Sequence, residues 1–165
     1  MEIEIRAKLK DSKSVIKKLI ELGGIKIGEK ELSDYYFGDI DLYKKNGYSF
    51  WIRLRAKEGR VELTYKGSTG KDGVYDEYEQ ELQDLDTALA IFNKMGLTNE
   101  ITVHKKRTSF KLKNISIEID DFGERGTYIE AEIISENTDK KELFKLFKSL
   151  GISKPQNMSS YSYLL

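Results

Sequence analysis

After the first methionine the chain reads EIEIRAKL, with Glu2, Glu4, Arg6 and Lys8 alternating with Ile3, Ile5, Ala7 and Leu9. Strict alternation of charged and apolar residues is the pattern of a half-buried strand. The pattern returns down the chain. Arg53, Arg55 and Lys57 stand opposite Ile52, Leu54 and Ala56, and Glu62, Thr64 and Lys66 stand opposite Val61, Leu63 and Tyr65. Glu77, Glu79 and Glu81 form one charged face, and Lys105 and Arg107 form another. Glu118 and Asp120 alternate with Ile117 and Ile119, as Glu130 and Glu132 do with Ile129, Ala131 and Ile133. Same-sign neighbours at i and i+2 lie roughly 7 Å apart on one side of a strand. Their repulsion is about 0.6 kcal/mol in water and about 2.4 kcal/mol at an effective dielectric of 20. A sheet face turned to bulk water gains nothing by repeating that arrangement and ordinarily mixes its signs. Repetition fits carboxylates that converge on a cation and bases that converge on a polyanion. The plain alternative is a sheet with a solvated, charged exterior and an apolar sandwich core.

The totals narrow the classes. The sequence has 165 residues, 28 Lys+Arg and 28 Asp+Glu, so its formal net charge is zero, although 34% of its residues are charged. The length suits one domain, 1–165, with a sizeable core. With no cysteine, disulfides, thiolate metal sites and thiol nucleophiles are excluded, and the single His104 excludes a multi-histidine metal site. No apolar run reaches the length of a membrane span, and no signal peptide precedes the first strand, so a cytoplasmic protein without membrane partners is expected.

Three amphipathic helices interrupt the strands. Asp11 or Ser12 opens the first, which carries Val15, Ile16, Leu19, Ile20 and Leu22 and closes at Gly23-Gly24. Asp84 or Asp86 opens the second, with Leu85, Leu89, Phe92 and Met95 before Gly96. Asn137 or Thr138 opens the third, with Leu143, Phe144, Leu146, Phe147 and Leu150 before Gly151. Strands are read at 2–9, 34–39, 48–57, 60–66, 75–82, 101–112, 114–121 and 127–134, with turns at Asn46-Gly47, Glu58-Gly59 and Lys113-Asn114. The lone Pro155 lies near the end, which suits a large antiparallel sheet or barrel. A strand-to-helix unit repeats: Glu2 stands 21 residues before Gly23 (23 − 2), as Glu130 does before Gly151 (151 − 130), and Glu77 to Gly96 is a shorter version. The spacing predicts two related halves, each laying a helix across the outside of the sheet. If helices cover the apolar side, the charged side turns inward. Around eight strands then enclose a lumen just wide enough for side chains or one small ligand.

At this point the motifs resemble those of the CYTH superfamily, which includes class IV adenylyl cyclases, thiamine triphosphatases and triphosphate tunnel metalloenzymes. The likeness spans nearly the whole chain. It rests on Glu2-Ile-Glu4-Ile-Arg6, on the DYYF element of Asp34 to Phe37, and on Arg53-Leu-Arg55. It continues through LTYKG with Lys66, EYEQE from Glu77 to Glu81, Lys105-Lys-Arg107, Glu118-Ile-Asp120, Glu130-Ala-Glu132 and the terminal SYSYLL. Tyr75 departs from the family pattern, where Arg is frequent, and Arg6 replaces the commoner Lys. The resemblance implies an α+β fold: an eight-stranded antiparallel β-barrel, or triphosphate tunnel, with a charged lumen and helices outside. It implies Mg²⁺ or Mn²⁺ held by Glu2, Glu4, Glu130 and Glu132, with Glu118 and Asp120 completing the site or holding a second ion. Hard cations of this kind take carboxylate oxygens and share substrate phosphates. It implies Arg6, Lys8, Arg53, Arg55, Lys66, Lys105 and Arg107 as phosphate ligands. Lys66 also counts among the catalytic residues, with Glu77, Glu79 and Glu81 orienting the bases or the attacking water.

The implied substrate is a triphosphate-bearing small molecule such as ATP, tripolyphosphate or thiamine triphosphate. The implied chemistry is hydrolysis or, alternatively, cyclisation of ATP to cyclic AMP and pyrophosphate. A non-catalytic binder of polyphosphate or of 5′-triphosphate RNA ends is the competing class. The protein is expected as a monomer or homodimer. Three signals are set aside. KGSTGKDG lacks the glycine spacing and Ser/Thr of a phosphate loop and is read as a loop at the tunnel mouth. His104 is out of phase with Lys105 and Arg107, which points it outward. KKR lacks the basic excess of nucleic-acid binders, and Trp51 and the ten tyrosines are read mainly as core or rim.

Overall fold

The computed structural model describes residues 2–37, 50–69, 74–135 and 138–153; the side chains of Glu2, Phe50, Ser68, Tyr75 and Glu100 are outside that description. The Asn46-Gly47 turn, the tip of KGSTGKDG at 70–73, Asn137, Pro155 and SYSYLL lie outside the described residues. Eight antiparallel strands and three α-helices among the described residues give the α+β architecture expected from the sequence.

The strands are β1 (Glu2–Leu9), β2 (Ile25–Phe37), β3 (Phe50–Lys57), β4 (Arg60–Ser68), β5 (Val74–Leu82), β6 (Asn99–Leu112), β7 (Ile115–Asp121) and β8 (Thr127–Ile133). The helices are α1 (Ser12–Glu21), α2 (Leu85–Lys94) and α3 (Lys141–Ser149). The chain divides into two compact units. Of the described residues, those within 31–104 form the first and those within 2–30 and 105–153 the second.

In the first unit the strand order is β5-β4-β3-β2. Register pairs Asp34 with Arg55, Arg55 with Glu62, and Glu62 with Glu81. The apolar face meets α2: Phe37, Leu54, Val61 and Ala88 are buried together, with Leu85, Leu89 and Phe92 packed against them. Phe37 and Phe92 meet edge to face at 4.8 Å. Asp84 caps α2 by accepting the Thr87 N–H at 2.6 Å. The β3–β4 hairpin turns through Glu58 and Gly59, both at positive φ, the conformation a tight two-residue hairpin requires.

In the second unit the order is β6-β7-β8-β1. Its core joins Ile5, Ala7, Ile117, Ile119, Ile129 and Ala131 of the sheet to Val15 and Leu19 of α1 and Leu143, Leu146 and Phe147 of α3. Ile3 and Ile5 therefore face helices, as the alternation required. The repeat has an unexpected layout. Its two long copies, β1–α1 and β8–α3, sit side by side in this one unit, where β1 pairs with β8, while the shorter copy, β5–α2, lies in the other.

Two boundaries differ from expectation. β2 begins at Ile25, because its first half is a strand whose residues are almost all exposed and so carry no burial pattern. Among the described residues α3 begins at Lys141, where Asp139 Oδ1 accepts the Lys141 N–H. No helix of the described residues is long and apolar enough to cross a membrane.

Ile129 is fully buried between sheet and helices. Ile129→Ala is expected to lower the unfolding free energy by about 2–5 kcal/mol, read by denaturant titration. An unchanged midpoint would mean that this face is not the core.

Candidate active site: the charged faces of the sheet

Pleating sends each strand's charged residues to the side that the helices leave uncovered. Register then lines them up in rungs. Across the second unit one rung is Ser116, Glu132 and Glu4; the next is Ser109, Glu118, Glu130 and Arg6; the third is Arg107, Asp120, Tyr128 and Lys8. Glu4, Arg6, Lys105 and Asp120 are all under a tenth exposed.

The closest contacts on this face are ionic. Asp120 accepts from Lys105 Nζ at 2.7 Å and from Arg107 Nε and Nη2 at 2.7 Å each. This fork fixes both bases. Burial raises the Asp120 pKa, but Arg107 and Lys105 outweigh it and hold the carboxyl at about 2. Burial opposes the charge on Arg107 as well, yet Asp120 pushes its pKa up further. Two residues away the balance reverses. Burial raises the Glu118 pKa, and the nearby Arg107 and the Ser109 hydroxyl, which donates at 2.6 Å, only moderate it. Arg6 is ion-paired with Glu130. Lys8 is exposed and lies over the Tyr128 ring, 5.6 Å from its centroid.

The first unit repeats the device with more bases buried. Asp34, fully buried, takes Arg55 Nε at 2.6 Å and Nη2 at 2.7 Å. Arg53 donates through Nη2 to the buried Thr64 hydroxyl at 2.7 Å and lies 3.7 Å from Glu62 and 3.8 Å from Glu79. Its guanidinium also sits over the buried Trp51 ring at 5.1 Å. Among the described residues the buried Arg53 Nε–H has no hydrogen-bond partner, so it is a donor available to an anion. Lys66 is buried 3.8 Å from Glu77. Glu79 and Glu81 are exposed, and Glu81 lies 3.8 Å from Arg60 at the strand end. His104 is exposed, as its phase predicted, and shares a hydrogen bond with Ser33 Oγ at 2.9 Å.

Within each unit, then, the structure gathers most of the expected charged residues on one face. The partners that sequence reasoning did not name are Ser109 and Phe122, and Thr64 was read only as a member of its strand's polar face. Asp34 was legible only as part of DYYF; its pairing with Arg55 comes from the β2–β3 register. The acidic donors Glu4, Glu118, Glu130 and Glu132 are oxygen ligands only, a chemistry that fits a hard divalent cation. Among the described residues no three acidic side chains converge on a metal position, and the side chain of Glu2 is outside them.

A CYTH-domain profile matches residues 1–162. The chain belongs to the CYTH family. A relative in Methanocaldococcus jannaschii that bears the name "putative adenylate cyclase" is 31% identical over 172 residues, covering 99% of this chain and 97% of that protein. A solved structure from Pyrococcus horikoshii superposes with a TM-score of 0.86 at 24% identity, covering 100% of both chains. A solved structure from Hippeastrum, a "putative adenylyl cyclase" with a dominant triphosphatase activity, superposes with a TM-score of 0.67 at 16% identity, covering 99% of this chain and 93% of that one. The last two share the fold at these identities.

The depressed Asp120 pKa has a pH signature. It lies below the ordinary value of 3.8, so its stabilising contribution is complete above that value and is lost as pH falls toward about 2. Asp120→Asn is expected to cost about 3 kcal/mol at neutral pH, by leaving Lys105 and Arg107 without their counter-ion. It is also expected to flatten the acid limb of stability between pH ~4 and ~2, measured by denaturant titration across pH. A variant as stable as the parent at pH 7 contradicts the assignment.

Proposed function

We propose that this CYTH protein is a divalent-cation-dependent enzyme that acts on the triphosphate group of a small molecule, and that hydrolysis is its main reaction. The observation that carries the proposal is the set of bases held under a tenth exposed on the charged faces: Arg53, Arg55 and Lys66 in one unit, Arg6 and Lys105 in the other. Buried guanidinium and ammonium groups in such number are costly unless anions compensate them. The internal carboxylates do part of this, and the Arg53 Nε–H is left as a donor.

The roles follow from chemistry. Arg6, Lys105 and Arg107, together with Arg53, Arg55 and Lys66, bind phosphate oxygens, the arginines in bidentate fashion. Glu2, Glu4, Glu130 and Glu132, with Glu118, would hold Mg²⁺ or Mn²⁺. When bound, that cation supplies neutralisation of phosphate charge. Asp120 and Asp34 hold the bases in place before substrate arrives, so little reorganisation remains at the moment of reaction. Glu77 restrains Lys66 and Glu79 restrains Arg53, and these carboxylates orient the attacking water. In hydrolysis that water adds to the terminal phosphorus, the bond to the bridging oxygen breaks, and orthophosphate leaves. The name of the M. jannaschii relative favours a second reading, cyclisation of ATP, in which the ribose 3′ oxygen attacks the α-phosphorus and pyrophosphate leaves.

Purified protein incubated with ATP, and separately with tripolyphosphate, plus Mg²⁺ or Mn²⁺ is expected to release orthophosphate. EDTA is expected to abolish the release, and Glu4→Ala/Glu132→Ala to lower it by 100-fold or more, an order-of-magnitude figure for lost metal ligation. Cyclic AMP as the main product would establish the second reading instead. Tight, salt-sensitive binding of tripolyphosphate without turnover under either metal would show a binding module and overturn both.

A further inference from the structure

Along β4 the charged-face positions read Glu62, Thr64, Lys66: acid, hydroxyl, base. The neutral one, Thr64, is fully buried. Register sets it on a single rung between Arg53 of β3 and Glu79 of β5.

The two arginines of β3 are held in different ways. Arg55 gives Nε and Nη2 to the buried carboxylate of Asp34, which fills its fork and offsets its charge. Arg53 has no carboxylate at hydrogen-bond distance among the described residues, since Glu62 and Glu79 stand 3.7 and 3.8 Å from its Nη2. Glu62 is already engaged: it accepts from Lys57 Nζ at 2.7 Å. What Arg53 Nη2 meets at 2.7 Å is the Thr64 hydroxyl.

A guanidinium only donates, so Thr64 Oγ1 accepts from it and keeps one hydrogen to give. That hydrogen goes to Glu79 Oε1, 3.4 Å away. The Trp51 ring lies against the flat side of the guanidinium, 5.1 Å from centroid to Cζ. Trp51 in turn packs edge to face on the buried Tyr36, with 5.5 Å between centroids. Trp51 therefore sets the plane of the guanidinium, and Thr64 sets its rotation within that plane. Neither contact brings a negative charge. The buried Nε–H is left without a partner among the described residues. A carboxylate at position 64 would hold Arg53 as firmly, but it would fill the fork and repel an incoming anion. A hydroxyl fixes the direction and leaves the charge to the ligand.

We propose that Thr64 is a positioning residue for Arg53: its hydroxyl holds Nη2 so that Nε–H and an undiminished positive charge are presented to phosphate, and it ties that base to Glu79 on the same rung. The proposal rests on the triphosphate reading above and adds to it a residue that acts through Arg53.

Calorimetric titration of tripolyphosphate in EDTA tests it with the parent, Thr64→Val and Thr64→Ser. Valine keeps the β-branched shape and strand preference of threonine and removes the hydroxyl. Serine keeps the hydroxyl and removes the methyl group. Thr64→Val is expected to weaken binding roughly tenfold, the scale of one hydrogen bond to a charged group. Thr64→Ser is expected to recover most of that loss. A packing role predicts the reverse order, because serine leaves a void where valine does not. Proton–nitrogen NMR of the parent gives a readout that needs no variant at position 64. The Arg53 Nε–H signal is expected to move downfield when tripolyphosphate is added. If the parent binds, three results overturn the proposal and leave the triphosphate reading standing: Thr64→Val binding like the parent, Thr64→Ser binding no better than Thr64→Val, or an Arg53 Nε–H signal that tripolyphosphate does not move. A parent that binds no tripolyphosphate overturns both.

Discussion

The bidentate ion pair that holds a buried base is the interaction on which the rest of this structure depends. Taking a single charge out of water costs roughly several kcal/mol even after relaxation, and a sheet that buries Arg6, Arg53, Arg55, Lys66 and Lys105 meets that cost many times over. Asp34 on Arg55 and Asp120 on Arg107 and Lys105 answer it with short, directional hydrogen bonds. These pairs also fix the bases at rest. Long side chains that are free in water lose much entropy when a ligand immobilises them. Here that loss is taken at folding, so a polyanion meets a set of donors already in place.

The neutral net charge of the chain hides an uneven distribution. In the second unit carboxylates gather toward the Glu4–Glu132 rung, while bases gather toward Arg107 and Lys105. A ligand with a cation at one end and phosphates along its length matches that gradient. Two carboxylates two residues apart, Asp120 and Glu118, have their pKa values moved in opposite directions. The first stands inside a fork of bases, whereas burial dominates at the second. One face therefore holds a carboxylate that is fully ionised and another that ionises less readily. This range is useful to a site that must bind both metal and phosphate.

Much of this was legible before any coordinates. Period-two alternation gave the strands, and same-sign repetition singled out charged faces on which Glu4, Arg6, Arg53, Arg55, Lys66, Lys105 and Asp120 are indeed buried. Helix caps at Asp11 and Asp84 were equally readable. What escaped has physical causes. The first half of β2 exposes Ile25 at 67% and Ile27 at 65%, so no burial contrast marks it, and Gly28 further weakens the strand signal. The partner of Arg55 depends on register, which a single sequence does not encode locally. The repeat was visible, but its two long copies pair with each other in one unit and do not define the two units.

The most direct test of the account is diffraction, at the manganese edge, from crystals soaked with Mn²⁺ and tripolyphosphate. The account predicts an anomalous peak at the rung of Glu4 and Glu132, with phosphate oxygens on Arg6 and Arg107. Manganese and phosphate found only among exterior lysines and glutamates, with the buried bases untouched, would contradict it.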